Sequence, residues 1–120
     1  MVLALVVVVA FPACAKQADR TTTKVEGEAQ SVTIELVDDA FRPLTVGALG
    51  GLPIDLRLEN RGIQHHTFTD DAAGIDVELA PGKGETVTVP ALPAGDDRYF
   101  LCRFHEGNGM KGKISFVTEL

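Results

Sequence analysis

The stretch Tyr99-Phe-Leu-Cys-Arg-Phe-His-Glu-Gly-Asn-Gly-Met-Lys-Gly112 carries three different metal-binding side chains in one short segment. The thiol of Cys102, the imidazole of His105 and the thioether of Met110 follow the spacing Cys-x2-His-x4-Met. We predict that one strand ends near Cys102 and that the next begins near residue 113, so the segment is a loop between strands. Three glycines give this loop the freedom to fold back onto one centre: Gly107, Gly109 and Gly112.

The chemistry of these donors points to copper. A thiolate, imidazole nitrogens and a weak axial thioether form the donor set that suits copper cycling between its two oxidation states. Such a set needs a second imidazole, and His66 lies 36 residues before Cys102. Because side chains alternate across a strand, His65 and His66 cannot both face the interior. His66 shares its face with Phe68, so we predict His66 as the ligand. His65 is then expected either to face solvent or to contact a ligand without binding the metal itself.

The predicted site is therefore one copper ion held by four side chains. Met110 is expected to form a long axial bond that tunes the reduction potential more than the affinity. Each residue alone would be unremarkable, since a single cysteine, histidine or methionine is usually a packing or surface residue. Their combination at this spacing carries the prediction, and the predicted ligands are His66, Cys102, His105 and Met110.

Alternation of apolar and polar residues elsewhere predicts an all-β protein. Strands are expected over residues 31–37, 54–59, 64–69, 77–79, 85–89, 98–102 and 113–118, with a shorter edge segment near Pro43. No segment has the period of a helix with capping residues. About seven or eight short strands separated by turn residues are typical of a Greek-key β-sandwich.

Length and charge narrow the classes of function. A chain of 120 residues has room for one domain with one core, which we expect to act as a monomer. The net charge of −6 argues against binding to nucleic acid and leaves open a basic docking surface on a partner protein.

The N-terminal segment has the composition of a targeting sequence. Residues 2–11 are continuously apolar, too short to span a bilayer and of the right length for a signal sequence. The alternative is a buried core strand. Ala13-Cys14-Ala15 suits ordinary signal cleavage, whereas the segment ending in Cys14 is an imperfect lipobox. We predict a signal or lipoprotein signal over residues 1–15, a flexible tether over 16–30 and the copper-binding domain over 31–120.

This arrangement implies an extracytoplasmic location, with membrane anchoring through a lipidated Cys14. Two cysteines in such a compartment could instead form a disulfide between Cys14 and Cys102. Because processing would remove or lipidate Cys14, metal binding is the favoured explanation for the remaining thiol.

The pattern Tyr99-x2-Cys102-x2-His105-x4-Met110-x-Gly112, with an upstream Asn60 and His66-Thr67-Phe68, resembles the cupredoxin family. The loop spacing is similar to that of plastocyanins and pseudoazurins. The resemblance covers about residues 30–120 and implies a Greek-key β-sandwich with one type 1 (blue) copper ion at one end. It also implies shuttling of single electrons between larger redox partners.

The resemblance further implies roles for residues around the site. The residue equivalent to His105 lies near the surface in the family and serves as the electron port, so redox partners are expected to dock there, beside Glu106 and Asn108. The residue after the upstream histidine often bonds to the loop that carries the cysteine. Thr67 replaces the more usual asparagine here, and its hydroxyl is still able to make that bond.

Four functions remain to be compared. An electron carrier is favoured, and a copper carrier or chaperone is the alternative, although the chain has few of the methionines and histidines that labile copper binding uses. A copper enzyme would need further metal sites, which three histidines do not supply, so we do not expect an enzyme. A metal-free adhesion domain would leave the Cys, His and Met spacing unexplained.

Overall fold

Within residues 19–120, the part of the chain that the computed structural model describes, the backbone forms eleven β-strands. The predicted signal segment and Cys14 lie outside the described residues. The strands are β1 (Arg20–Thr22), β2 (Lys24–Glu26), β3 (Ala29–Val37), β4 (Ala40–Arg42), β5 (Thr45–Leu49), β6 (Ile54–Asn60), β7 (His66–Asp70), β8 (Ile75–Leu79), β9 (Gly84–Val89), β10 (Asp97–Leu101) and β11 (Lys111–Val117). Two single-turn 3-10 segments, Asp71–Ala73 and Glu106–Asn108, are also present.

The strands form two sheets that face each other. One sheet has the order β1-β5-β11-β10-β7-β8, and the other has the order β2-β3-β6-β9 with β4 paired to β3. The pairs β3–β6 and β5–β11 are parallel, so the chain crosses over between each pair, while β10 runs antiparallel to both β11 and β7. The predicted all-β sandwich is confirmed.

Alternation along the strands builds the core between the sheets. In β3, Ile34 and Leu36 are fully buried, and in the parallel neighbour β6, Leu56 and Leu58 are fully buried. Ile34 lies opposite Leu58 in the register, so apolar residues of the two strands share the inner face. Half-buried Glu35 and exposed Arg57, which lie between these residues, keep the outer face polar.

The strand count exceeds the predicted seven or eight, and the prediction of a tether over residues 16–30 is wrong from Arg20 onward. Strand β1 pairs with β5, and β2 pairs with β3, so the folded domain includes residues from Arg20 onward. The side chains of β2 are all exposed, and those of β1 are mostly exposed. Backbone pairing and the buried hydroxyl of Thr23, which donates to Oε1 of Gln30 (2.7 Å), hold these strands. Their mostly exposed side chains therefore give the sequence no apolar period.

Three phenylalanines pack together at the end of the core where the predicted ligands lie. The ring of Phe100 lies 4.8 Å from that of Phe68 and 4.9 Å from that of Phe41, measured between centroids. Phe68 is two residues from His66, and Phe100 is two residues from Cys102. Because residues two apart on an extended chain share a face, packing of these rings also fixes the positions of the two ligands.

No helix among the described residues is long and apolar enough to cross a membrane.

Candidate metal centre

The loop from Cys102 to Met110 folds back on itself through backbone hydrogen bonds. The N–H of Cys102 donates to the carbonyl of Met110 (3.0 Å), and the N–H of Met110 donates to the carbonyl of His105 (3.2 Å). The N–H of His105 donates in turn to the carbonyl of Cys102 (3.2 Å). Gly109 ends the short 3-10 turn with φ of 82°, a left-handed conformation that favours glycine. The loop therefore brings His105 back over Cys102.

Three of the four predicted ligands meet at this point. The sulfur of Cys102 lies 3.4 Å from Nδ1 of His105 and 3.9 Å from Nδ1 of His66. All three donor atoms lie within 4.8 Å of one another. Donor atoms that each bind one ion at about 2.0–2.3 Å are separated from one another by distances like those between these three atoms. His66 and Cys102 are fully buried, whereas His105 is half-buried and reaches the surface.

Met110 is fully buried and is tied to the same loop by its backbone. Its side chain is part of the core cluster that includes Cys102. The role of its sulfur as the axial ligand stays a prediction.

Strand β7 holds His66 and leaves His65 outside. The side-chain amide of Asn60 donates to the carbonyls of Gln64 (2.8 Å) and Leu79 (2.9 Å), which fixes the turn before β7. His65 is exposed, and its Nδ1 lies 3.5 Å from Oε1 of Glu78 on the neighbouring strand. The structure thus places His66 in the cluster and His65 at the surface.

Thr67 connects β7 to the cysteine loop through both its backbone and its side chain. Its N–H donates to the sulfur of Cys102 (3.4 Å), and its hydroxyl oxygen accepts from the N–H of Arg103 (2.8 Å). The hydrogen bond to the sulfur fixes the position of the Cys102 side chain relative to β7. The cross-link that the family resemblance implies is therefore made by threonine.

Sequence reasoning did not anticipate that this contact belongs to a closed ring of hydrogen bonds. The hydroxyls of Thr67 and Thr69 are 3.1 Å apart, and Thr69 donates to Oδ1 of Asp76 (2.8 Å). Nε of Arg103 donates to the same carboxylate oxygen (2.8 Å). Arg103 follows Cys102 in sequence, and its N–H bonds to Thr67, so the ring closes at this residue. The Arg103 and Thr69 hydrogen bonds lower the pKa of Asp76, so its carboxylate stays charged and keeps accepting.

The electrostatics of His66 favour a neutral imidazole. Burial lowers its pKa, and the neighbouring His105 adds to this effect, while Asp38 opposes it. A neutral imidazole offers a lone pair to a metal without first losing a proton. His66 therefore needs no deprotonation before it binds an ion at neutral pH.

The donor set decides which metal fits best. Two imidazole nitrogens and one thiolate, with a buried thioether in the same loop, suit copper in a mononuclear site. Cys102 is a buried, free thiol in the structure, and the alternative of a disulfide with Cys14 lies outside the described residues. Among the described residues, this is the one cluster of three or more histidine, cysteine or carboxylate side chains close enough to share a metal ion.

Comparison with protein families and solved structures agrees with this fold. The family model of the cupredoxin-like domain matches residues 1–115. Comparison with curated protein sequences finds no match.

Several solved structures are similar in fold. The metal-binding domain of the Streptococcus pneumoniae D39 Cu(I)-exporting P-type ATPase CopA superposes with a TM-score of 0.71 at 14% identity, covering 83% of this chain and 97% of that one. Auracyanin from Roseiflexus castenholzii has a TM-score of 0.60 at 20% identity, covering 72% and 96%. A multi-copper oxidase from Pediococcus acidilactici has a TM-score of 0.62 at 11% identity, covering 80% of this chain and 28% of the oxidase. At these identities the likeness concerns the fold alone.

Proposed function

This chain belongs to the cupredoxin-like family, and from that premise we propose that it transfers single electrons between redox proteins through one type 1 copper ion. The ion would be held by His66, Cys102, His105 and Met110, and it would supply the one-electron change between Cu(I) and Cu(II). The observation that carries the proposal is the buried, hydrogen-bonded arrangement of the Cys102 sulfur between two imidazole Nδ1 atoms.

Rigidity of these donors supports electron transfer. His66 is held by a strand, Cys102 by the N–H of Thr67, and His105 by the backbone of its own loop. Ligands that are already positioned reorganise little when the charge on the metal changes, and small reorganisation is what fast one-electron exchange needs.

The exposed side of the site supports docking of partner proteins near His105. Of the four predicted ligands, His105 alone is partly exposed, while the other three are fully buried. Phe104, next to it in sequence, and Ile63, whose N–H bonds to Asp38 beside His66, are exposed apolar side chains. Apolar residues around a partly exposed ligand suit transient contact with another protein.

We further propose that the protein acts outside the cytoplasm, anchored by a lipidated Cys14. The apolar run of residues 2–11 and the cysteine that follows it support this location. Mass spectrometry of the mature N-terminus tests it. A diacylglycerol-modified Cys14 is expected, and a mature chain that retains residues 2–11 would contradict the proposal.

The alternative function is that of a copper carrier, in which the ion is the cargo. Similarity in fold to a metal-binding domain of a Cu(I)-exporting ATPase favours this alternative. Rapid mixing of the copper-loaded full chain separates the two functions. An electron carrier is expected to be reduced by ascorbate and reoxidised by ferricyanide through many cycles with its copper retained.

A carrier would instead release Cu(I) to a chelator or acceptor domain faster than it exchanges electrons. That result would overturn the proposed function. We expect no chemical change of a substrate by this chain in either assay.

A further inference from the structure

One ring nitrogen of His66 has no hydrogen-bond partner although it is buried. Nδ1 faces the cluster, and Nε2 points the opposite way, toward the two-residue turn between β3 and β4. Among the described residues, Nε2 of His66 is the one buried side-chain nitrogen or oxygen without a hydrogen bond. Buried polar groups are nearly always paired, so this atom needs an explanation.

Metal binding determines which nitrogen carries the proton. A neutral imidazole has one N–H and one lone pair. If Nδ1 of His66 binds the ion, as its direction toward the Cys102 sulfur indicates, Nε2 must carry the hydrogen. The buried atom then becomes a donor that requires an acceptor.

A carboxylate stands in position to be that acceptor. Oδ1 of Asp38 lies 3.5 Å from Nε2 of His66, just beyond a normal hydrogen bond. The same oxygen accepts from the N–H of Ile63 (3.0 Å), which holds the carboxylate beside the turn that precedes β7. A Cβ at position 62 would collide with Oδ1 of Asp38 and would crowd Nε2 of His66, so Gly62 keeps the space between them open.

We propose that Asp38 is a positioning residue of the metal centre, an inference that rests on the proposed copper site. Its carboxylate accepts a hydrogen bond from Nε2–H of His66, fixes the tautomer in which Nδ1 binds the ion, and makes the imidazole a stronger donor. Carboxylates behind ligating histidines act in this way at other metal sites. The negative charge also stabilises Cu(II) more than Cu(I), because the attraction grows with the charge on the ion.

Two substitutions separate the hydrogen bond from the charge. Asp38→Asn removes the charge and keeps a carbonyl oxygen that accepts, whereas Asp38→Ala removes both. Asp39→Asn is the matched control: it removes the same charge from the same turn, and its carboxylate points toward Asn108 (3.5 Å). Thermal unfolding of the metal-free proteins establishes that all three variants fold.

The first measurement is competition titration of Cu(II) and Cu(I). We expect Asp38→Ala to weaken Cu(II) binding roughly 10- to 100-fold, the usual effect of losing such a partner, with a smaller effect on Cu(I). Asp38→Asn should weaken Cu(II) binding less than Asp38→Ala, and Asp39→Asn should change it least.

The second measurement is the Nε2–H signal of His66 in ¹⁵N-labelled, Cu(I)-loaded protein. The wild type and Asp38→Asn are expected to show a slowly exchanging signal that is lost in Asp38→Ala. A merely structural role would change the unfolding temperature and leave this signal in place.

Two results would overturn the inference while leaving the proposed function standing. One is a wild type that binds copper normally together with an Asp38→Ala variant whose Cu(II) affinity and Nε2–H signal are unchanged. The other is an Asp39→Asn variant that weakens Cu(II) binding as much as Asp38→Asn does. A wild-type chain that takes up no copper would instead refute the proposed function, and this inference with it.

Discussion

The two segments that supply the predicted ligands differ in how they are held. Strand β7 is buried along its whole length and presents His66 from a sheet, and Phe68, two residues further on, stacks on Phe100. The loop from Cys102 to Met110 is mostly exposed between its buried ends and is held by its own backbone bonds. The strand therefore supplies a ligand held by the sheet, while the loop supplies a buried sulfur and an imidazole that reaches the surface.

The largest expected effect comes from removing the donor that both segments contact. Cys102→Ala takes away the sulfur that accepts from Thr67 and faces both imidazoles, so we predict complete loss of the visible colour of the Cu(II) protein. Absorption spectroscopy measures this. His65→Ala, which removes an exposed histidine outside the cluster, should keep the colour. An intense band that persists in Cys102→Ala would show that another residue is the sulfur ligand.

Breaking the link between the two segments should have the next largest effect. Thr67→Val leaves the N–H of Arg103 without its acceptor and opens the hydrogen-bonded ring. We predict a loss of roughly 1–3 kcal/mol in the free energy of unfolding, measured by denaturant titration of the metal-free protein. Thr67→Ser keeps the hydroxyl and should retain most of the stability. If Thr67→Val were as stable as the wild type and only Thr67→Ser lost stability, the methyl group, not the hydrogen bond, would be what stabilises the protein.

A backbone substitution tests the loop alone. Gly109→Ala forces a side chain into a left-handed conformation, which costs about 1–2 kcal/mol. Copper affinity should fall with it, because the loop closes less well. Gly107→Ala is the control, since a Cβ there meets nothing within 4 Å. If both variants bind copper equally well, the left-handed turn at Gly109 does not shape the site.

The smallest effect concerns the strand and follows from the pKa of His66. Burial lowers this pKa below the ordinary histidine value of 6.5, so the unfolded chain binds more protons than the folded chain as the pH falls through that value. The metal-free protein should therefore lose stability progressively below about pH 6.5. His66→Gln should flatten this dependence between pH 6.5 and 5. An unchanged slope would show that other groups cause it.

Part of the site could be predicted because its residues are close in sequence or follow a simple period. Cys102, His105 and Met110 share one loop, and alternation with Phe68 selected His66 over His65. Thr67 was also identified, through the family resemblance.

The remaining contacts depend on strand pairing that no local pattern reveals. Thr69 meets Asp76 because β7 and β8 pair in that register, and Arg103 reaches the same carboxylate from a third segment. Asp38 is an ordinary turn residue in the sequence, and its approach to His66 needs the space left by Gly62. Strands β1 and β2 were missed for a similar reason, since their exposed side chains carry no apolar pattern.

Titration of the wild-type chain with Cu(II), followed by visible absorption, tests the central claim most directly. We predict an intense thiolate-to-copper band that saturates at one copper per chain, is bleached by ascorbate and returns on oxidation. A solution that stays colourless, or a band that needs more than one copper per chain to saturate, would contradict a single copper centre built by β7 and the Cys102–Met110 loop.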